Sequence, residues 1–279
     1  MGSIAALTEQ FLGMMNLKIT GMIKMVKVGF YDLCGCQGCQ LSVIFNEDEI
    51  LDIVNAVEIV AFRFITGKKY DGPIDVCFIE GAVVSQDDLQ TLKKLRERSK
   101  VLIALGTCAC QGNIQAIRNF TDEKELDYLK YEKTGQIKDI VTPGPIAKYV
   151  KVDYSVPGCP PDRDEVKKFI KDLLLGKHFR NYPDPVCREC RLAKNGCLLD
   201  EGKICLGPLI QGGCRAVCTN SGFECYGCRG LTDDPNFEEY FKLMKEKNIL
   251  DVDVKKRLET FISLEVNEKL KGTKWEKLH

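Results

Sequence analysis

Fifteen cysteines, unevenly placed in 279 residues, restrict what this chain can fold into more than any other feature. Cys34, Cys36 and Cys39 form one group, Cys77, Cys108, Cys110 and Cys159 are spread more widely, and the other eight crowd into residues 187–228. The stretch 4–23 is mildly apolar but broken by Glu9, Gln10, Asn16 and Lys18, with no basic region before it and no twin arginine. It does not have the form of an export signal. A cytoplasmic setting is therefore expected, where disulfides are rare and clustered cysteines read as metal ligands. The odd count also argues against complete disulfide pairing.

The balance of charge narrows the partners. Lys+Arg and Asp+Glu each number 40, so there is no basic surplus to neutralise nucleic-acid phosphates. No segment approaches 18 consecutive apolar residues, so no membrane span is expected. The 44% hydrophobic content is that of a globular chain with one sizeable core and a smaller module.

Strand-like and helix-like segments alternate through the first half. Residues 27–31 (KVGFY), 57–62 (VEIVAF), 74–79 (IDVCFI), 100–105 (KVLIAL) and 152–156 read as strands. The unbroken apolar run at 100–105 is that of a strand buried on both faces. Residues 41–54 carry helical spacing, and 87–99 form a charged helix with Leu89, Leu92 and Leu95 on one face. Pro160-Pro161-Asp162 opens another helix, with proline and acids at its start. Such alternation predicts an α/β fold, a flavodoxin-like doubly wound parallel sheet. An N-terminal extension (1–25) is expected before it, and the flavodoxin-like domain spans 26–180.

Residues 181–232 have little periodicity and are rich in Cys, Gly, Pro and Asn. Such a segment buries too little apolar surface to offset its chain entropy, and its eight cysteines point to metal clusters as the missing support. C-terminal helices follow at 233–279, with Phe237, Tyr240, Phe241 and Met244 on one face and Val254, Leu258, Phe261 and Ile262 on another.

Three cysteine motifs occupy equivalent places, each after a strand: Cys36-Gln37-Gly38-Cys39, Gly106-Thr107-Cys108, and Pro157-Gly158-Cys159-Pro160-Pro161. Open α/β sheets bind ligands beyond the carboxyl ends of their strands. The thiols of Cys36, Cys39, Cys108 and Cys159 are thus expected to converge on one edge, a donor set for zinc or a 4Fe–4S cluster. Gly38, Gly106 and Gly158 would let backbone approach a bulky inorganic core. The later eight suffice for two further four-cysteine sites. The simplest nesting groups Cys187, Cys190, Cys197 and Cys205, then Cys214, Cys218, Cys225 and Cys228. Crossed ligation, as in two-cluster ferredoxins, and two structural zincs are the competing readings.

Together CGCQGC, IEGAV, GTCAC, PGCPP and the run CRECRLAKNGCLLDEGKICLGP…GGCRAVC…CYGC resemble the small subunit of NiFe hydrogenases, and within it the cytosolic branch. The resemblance covers about residues 27–230. It implies an oxidoreductase complex in which this chain relays electrons. A proximal 4Fe–4S cluster on Cys36, Cys39, Cys108 and Cys159 would face a large subunit holding the NiFe centre. Cys214, Cys218, Cys225 and Cys228 would hold a medial 4Fe–4S cluster, and Cys187, Cys190, Cys197 and Cys205 a distal one. A further redox subunit, flavin or iron–sulfur, would take the electrons. Membrane-bound and periplasmic relatives use a histidine where this chain has Cys187 and lack the fourth medial cysteine that Cys218 supplies; neither His178 nor His279 lies in a ligand motif.

Cys77 sits inside a strand and reads as a small core residue, whereas Cys34 and Cys110 flank ligands and could exchange with them. Glu80-Gly81 ends another strand near the first site, where Glu80 would support the cluster or pass protons. No catalytic residue is assigned, because two nickel-binding CxxC pairs would have to come from another polypeptide. The alternative functions are a methanogen-type small subunit feeding heterodisulfide reductase, a cluster subunit of a complex I-like oxidoreductase, and a zinc-stabilised scaffold.

Overall fold

The computed structural model describes residues 25–44, 57–67, 69–122, 124–126 and 140–278. The extension expected at 1–25 lies outside them except for Met25, and the helix expected at 41–54 lies mostly outside, its described part ending at Ile44.

Five parallel strands form the central sheet: β1 (Val26–Asp32), β2 (Val57–Ala61), β3 (Ile74–Glu80), β5 (Ser99–Leu105) and β7 (Tyr154–Val156). Their order is β2-β1-β3-β5-β7, the doubly wound arrangement expected. β4 (Val83–Ser85) and β6 (Ile140–Gly144) pair separately as an antiparallel ribbon. β3 is buried at all seven positions and β5 at all but Lys100, which is why their sequences are apolar runs with no alternation.

Two cores flank the sheet. On one face Phe30 stacks between Phe62 and Phe78, at 4.4 and 4.7 Å between ring centroids, and Phe169 meets Phe78 edge-on. Phe169 comes from α4 (Arg163–Leu174), while α1 (Gly38–Ile44) contributes Val43. On the other face, α2 (Gln86–Arg98) places Leu92 and Leu95 against Ile79 and Leu102. Each such side chain contributes about 1.5–3 kcal/mol by leaving water. The start of α2 is fixed by a capping box between Ser85 and Asp88.

A third core joins the cysteine-rich segment to the C-terminal helices. Val186, Leu206, Leu209, Ile210 and Leu231 pack with Phe237, Phe241 and Met244 of α7 (Phe237–Glu246) and with Val254, Leu258 and Ile262 of α8 (Asp251–Leu270). The helical faces anticipated near the C-terminus are therefore core faces. The cysteine-rich segment itself carries only two short helices among its described residues, α5 (Val186–Leu192) and α6 (Val217–Asn220). No helix among the described residues is long and apolar enough to cross a membrane.

Candidate iron–sulfur sites

Every motif of the first site leaves the sheet at its carboxyl edge. β1 runs into Cys36 and Cys39, the latter in the first turn of α1. β5 runs into α3 (Gly106–Gln111), which carries Cys108. β7 runs through Pro157 and Gly158 to Cys159. Cys36, Cys39, Cys108 and Cys159 line one cavity of about 60 Å³, shared with Gly35, Gly38, Glu80, Gly81, Thr107 and Gly158.

Gly106 keeps that cavity open, and Gly158 permits the turn that brings in Cys159. Gly106 has φ +85°, and a Cβ there would collide with Cys39 Sγ. Gly158 has φ +135°, and a Cβ would lie 2.7 Å from Pro161 Cα. Its carbonyl accepts the Thr107 N–H at 2.9 Å, tying the Cys159 loop to the Cys108 loop. Burial pushes the Cys39 thiol far up, and nearby Glu80, Cys108, Cys159 and Cys36 add to this. Burial likewise raises Cys159, with Cys108 and Cys36 contributing. Such thiols give up their protons to a bound metal, which supplies the compensating charge. Asn113 and Gln115 donate to Cys108 Sγ at 3.1 and 3.5 Å.

Glu80 stands beside this site. It is buried, its Oε2 accepts the Gln40 N–H at 2.8 Å, and burial raises its carboxyl. Cys34, Cys77 and Cys110 do not line the cavity. Cys77 lies in the sheet core, its thiol pushed up to about 12 by burial. Cys110 turns back toward the Ala104 carbonyl at 3.5 Å, and burial takes it to about 12 as well.

Cys214, Cys218, Cys225 and Cys228 line a second, broader cavity of about 730 Å³, and Cys159 borders it too. Arg215 and Ala216, at φ +55° and +53°, make the turn after Cys214, and Arg215 pairs with Asp162 and Asp164 at the head of α4. Cys228 is raised to about 12 by burial, with Cys214, Cys218 and Cys159 acting in the same direction. Cys187 is also raised to about 12 by burial, and there the neighbours are Cys205, Cys190 and Cys197. A Cβ at Gly207 would lie 3.1 Å from Cys187 Sγ and 3.6 Å from Cys205 Sγ. Cys205 stands between the two sets, its Sγ accepting the Cys225 N–H at 3.3 Å.

Cys36, Cys39, Cys108 and Cys159 thus share one cavity and Cys214, Cys218, Cys225 and Cys228 another, while Cys190, Cys197 and Cys205 neighbour Cys187. Among the described residues, no three His, Cys, Asp or Glu side chains are gathered tightly enough to hold a single metal ion. In the first two groups the cysteines surround open space; Gly38 and Gly106 face the sulfurs of Cys36 and Cys39 in the first, and Gly207 faces those of Cys187 and Cys205 in the third. Four thiols around a cavity are a donor set that suits a 4Fe–4S cluster or a zinc ion.

Of the residues that hold these groups together, Arg229 and Glu165 belong to no motif read from the sequence, whereas Thr107 sits inside the Cys108 motif. Arg229, 1% exposed, forms a bidentate pair with Glu165 at 2.6 and 2.7 Å and donates to the carbonyls of Pro157 and Gly212. Thr107 Oγ1 donates to the Cys228 carbonyl at 2.5 Å. The only signal was position: Arg229 directly follows Cys228, and Glu165 is one of the acids opening α4.

Comparison with known proteins agrees with this architecture. Residues 36–173 match the family model described as NADH ubiquinone oxidoreductase, 20 Kd subunit. That match ends before the first of the eight later cysteines. The chain is 38% identical to sulfhydrogenase 2 subunit delta of Pyrococcus furiosus, over 85% of its own length and 99% of that protein's. It is 34% identical to a subunit of the F420-non-reducing hydrogenase vhu of Methanocaldococcus jannaschii, over 75% and 83% of the two lengths. A crystal structure of an NAD+-reducing [NiFe]-hydrogenase in the H2-reduced state contains a chain that superposes with a TM-score of 0.50 at 27% identity, covering 56% of this chain and 96% of that one. The carboxyl-edge cysteines and the delta-subunit likeness over nearly its full length lead to one conclusion: this chain belongs to the family of small iron–sulfur subunits of NiFe hydrogenases, parts of an oxidoreductase complex.

Proposed function

We propose that this chain is the electron relay of a cytoplasmic NiFe hydrogenase. It carries electrons between the NiFe centre of a large subunit and a further redox subunit, flavin or iron–sulfur, through three 4Fe–4S clusters. The observation that carries this reading is the contiguity of the three cysteine groups: Cys159 borders both the first and second cavities, and Cys205 stands between the second and third groups.

Cys36, Cys39, Cys108 and Cys159 hold the proximal cluster; Cys214, Cys218, Cys225 and Cys228 the medial; Cys187, Cys190, Cys197 and Cys205 the distal. When bound, each cluster accepts and passes on single electrons. This chain's residues fix the spacing, while Glu80 braces Cys39 through the Gln40 N–H. In this division residues 26–180 serve the proximal cluster, 181–232 the other two, and 233–279 back the second part.

Apolar side chains at both ends of the route fit the two partners. Ile114 and Phe120, 58% and 53% exposed, lie on the 3₁₀ helix Asn113–Phe120 that follows Cys108, and we assign this face to the large subunit. Leu192, 73% exposed, ends the helix bearing Cys187 and Cys190, at the exit toward the further redox subunit. The methanogen-type function is the second reading, favoured by the likeness to the F420-non-reducing hydrogenase.

Outside the three groups only Cys34, Cys77 and Cys110 remain, and they do not make two CxxC pairs for nickel. The chain purified free of any partner is therefore expected to show no hydrogen-dependent viologen reduction. Adding the large subunit should restore it. Turnover by the free chain contradicts the relay reading.

A further inference from the structure

One buried cation ties loops of the first cysteine group to loops of the second. Arg229 follows Cys228 directly, and its Nη1 donates to the Pro157 carbonyl at 2.8 Å, two residues before Cys159. Its Nε donates to the Gly212 carbonyl at 2.5 Å, two residues before Cys214. Its own carbonyl accepts from Gln111 of the Cys108 helix at 3.3 Å. Both terminal nitrogens engage Glu165, which Asp162 Oδ1 helps to fix by accepting its backbone N–H at 3.1 Å. A Cβ on Gly213 would meet Arg229 Nη2 at 2.5 Å and Glu165 Oε1 at 3.0 Å, so both charges lie against the Cys214 loop.

We propose that Arg229, locked by Glu165, is the positioning residue for electron passage between the first and second clusters, and that the pair sets the second cluster's potential. This rests on the assignment of Cys214, Cys218, Cys225 and Cys228 to a cluster. The rigid guanidinium fork meets carbonyls and carboxylate at once, holding the Cys159 loop at a fixed place against the Cys214 and Cys228 loops. Reduction adds negative charge to the cluster. The Arg229 charge favours that addition and the Glu165 charge opposes it, with little screening by water at such burial. Only an electron moves in this step, and no bond is made or broken.

The test uses the complete hydrogenase complex with Glu165→Gln, Glu165→Asp and Arg229→Lys. Iron is counted in each, cluster reduction is titrated by electron paramagnetic resonance, and passage is timed by freeze-quench. Arginine stays charged beside a glutamine, so one of the three reduction steps in Glu165→Gln should move to higher potential, while Glu165→Asp returns it toward wild type. Lysine keeps the charge but loses the fork, so Arg229→Lys should titrate near wild type yet pass electrons more slowly from the first cluster to the second. Full iron with an unshifted Glu165→Gln titration overturns the inference while leaving the cluster assignment standing. A wild-type complex lacking iron at the second group overturns the assignment itself. If Glu165→Gln fails to assemble, Arg229→Lys decides alone, and wild-type passage in it overturns the positioning role.

Discussion

Cys159→Ala is expected to abolish electron export while leaving the catalytic partner able to activate dihydrogen. Cys159 follows the last strand of the sheet and borders both the first and second cavities. Its loop is fixed on two sides, Gly158 by the Thr107 N–H and Pro157 by Arg229, and it runs into the Asp162 cap of α4. The thiol is therefore held in place before any metal arrives. On the proposed assignment, alanine there removes one of four proximal ligands and opens the route at its first step. Hydrogen-driven reduction of the other two clusters should fall to background. Exchange between dihydrogen and deuterium at the partner's metal centre requires no export, so it should persist wherever the subunits still dock. Cys110 is not placed to substitute, because its thiol faces the Ala104 carbonyl. Retained iron and retained export in Cys159→Ala contradict the assignment of the first site.

Arg229→Met should be the most destabilising single change outside the cysteines. Methionine fills much of the volume but leaves the Glu165 carboxylate, whose side chain is 10% exposed, without its cation. Burial already pushes Glu165 up, with Arg229 pulling it back. Breaking such a pair from one side costs about 3–5 kcal/mol, and the carbonyls of Pro157 and Gly212 lose their donor as well. Thermal unfolding of the assembled complex should show the loss. The double variant Arg229→Met/Glu165→Met should recover much of it, since the uncompensated charge is then gone. A single variant as stable as wild type contradicts the clamp.

Most of the sheet was legible because buried parallel strands write themselves as unbroken apolar runs. Residues 100–105 and 74–79 were read as strands, and the structure extends them only to Ser99 and Glu80. The convergence of Cys36, Cys39, Cys108 and Cys159 was legible for a related reason: each motif follows a strand, and parallel strands share a carboxyl edge. Helix phase was harder to read. Cys108 and Cys110 are two residues apart in a single short helix, so they point to opposite sides, and only Cys108 reaches the cavity. Arg229 and Glu165 were invisible as a pair. A charged residue is usually solvated, and its burial depends on which loops close over it. Glu165 looked like any acid opening a helix, and Arg229 like a loop cation.

The central claim, three 4Fe–4S clusters on twelve cysteines, is tested most directly by counting metal. Anaerobically purified complex of this chain with its large subunit, freed of any further iron–sulfur subunit, should be analysed for iron, acid-labile sulfide and zinc, with the metal of the large subunit subtracted. About twelve irons and about as many sulfides are expected per copy of this chain, with no stoichiometric zinc. A value near eight removes one of the clusters assigned to residues 187–228, and stoichiometric zinc with little iron contradicts the relay altogether.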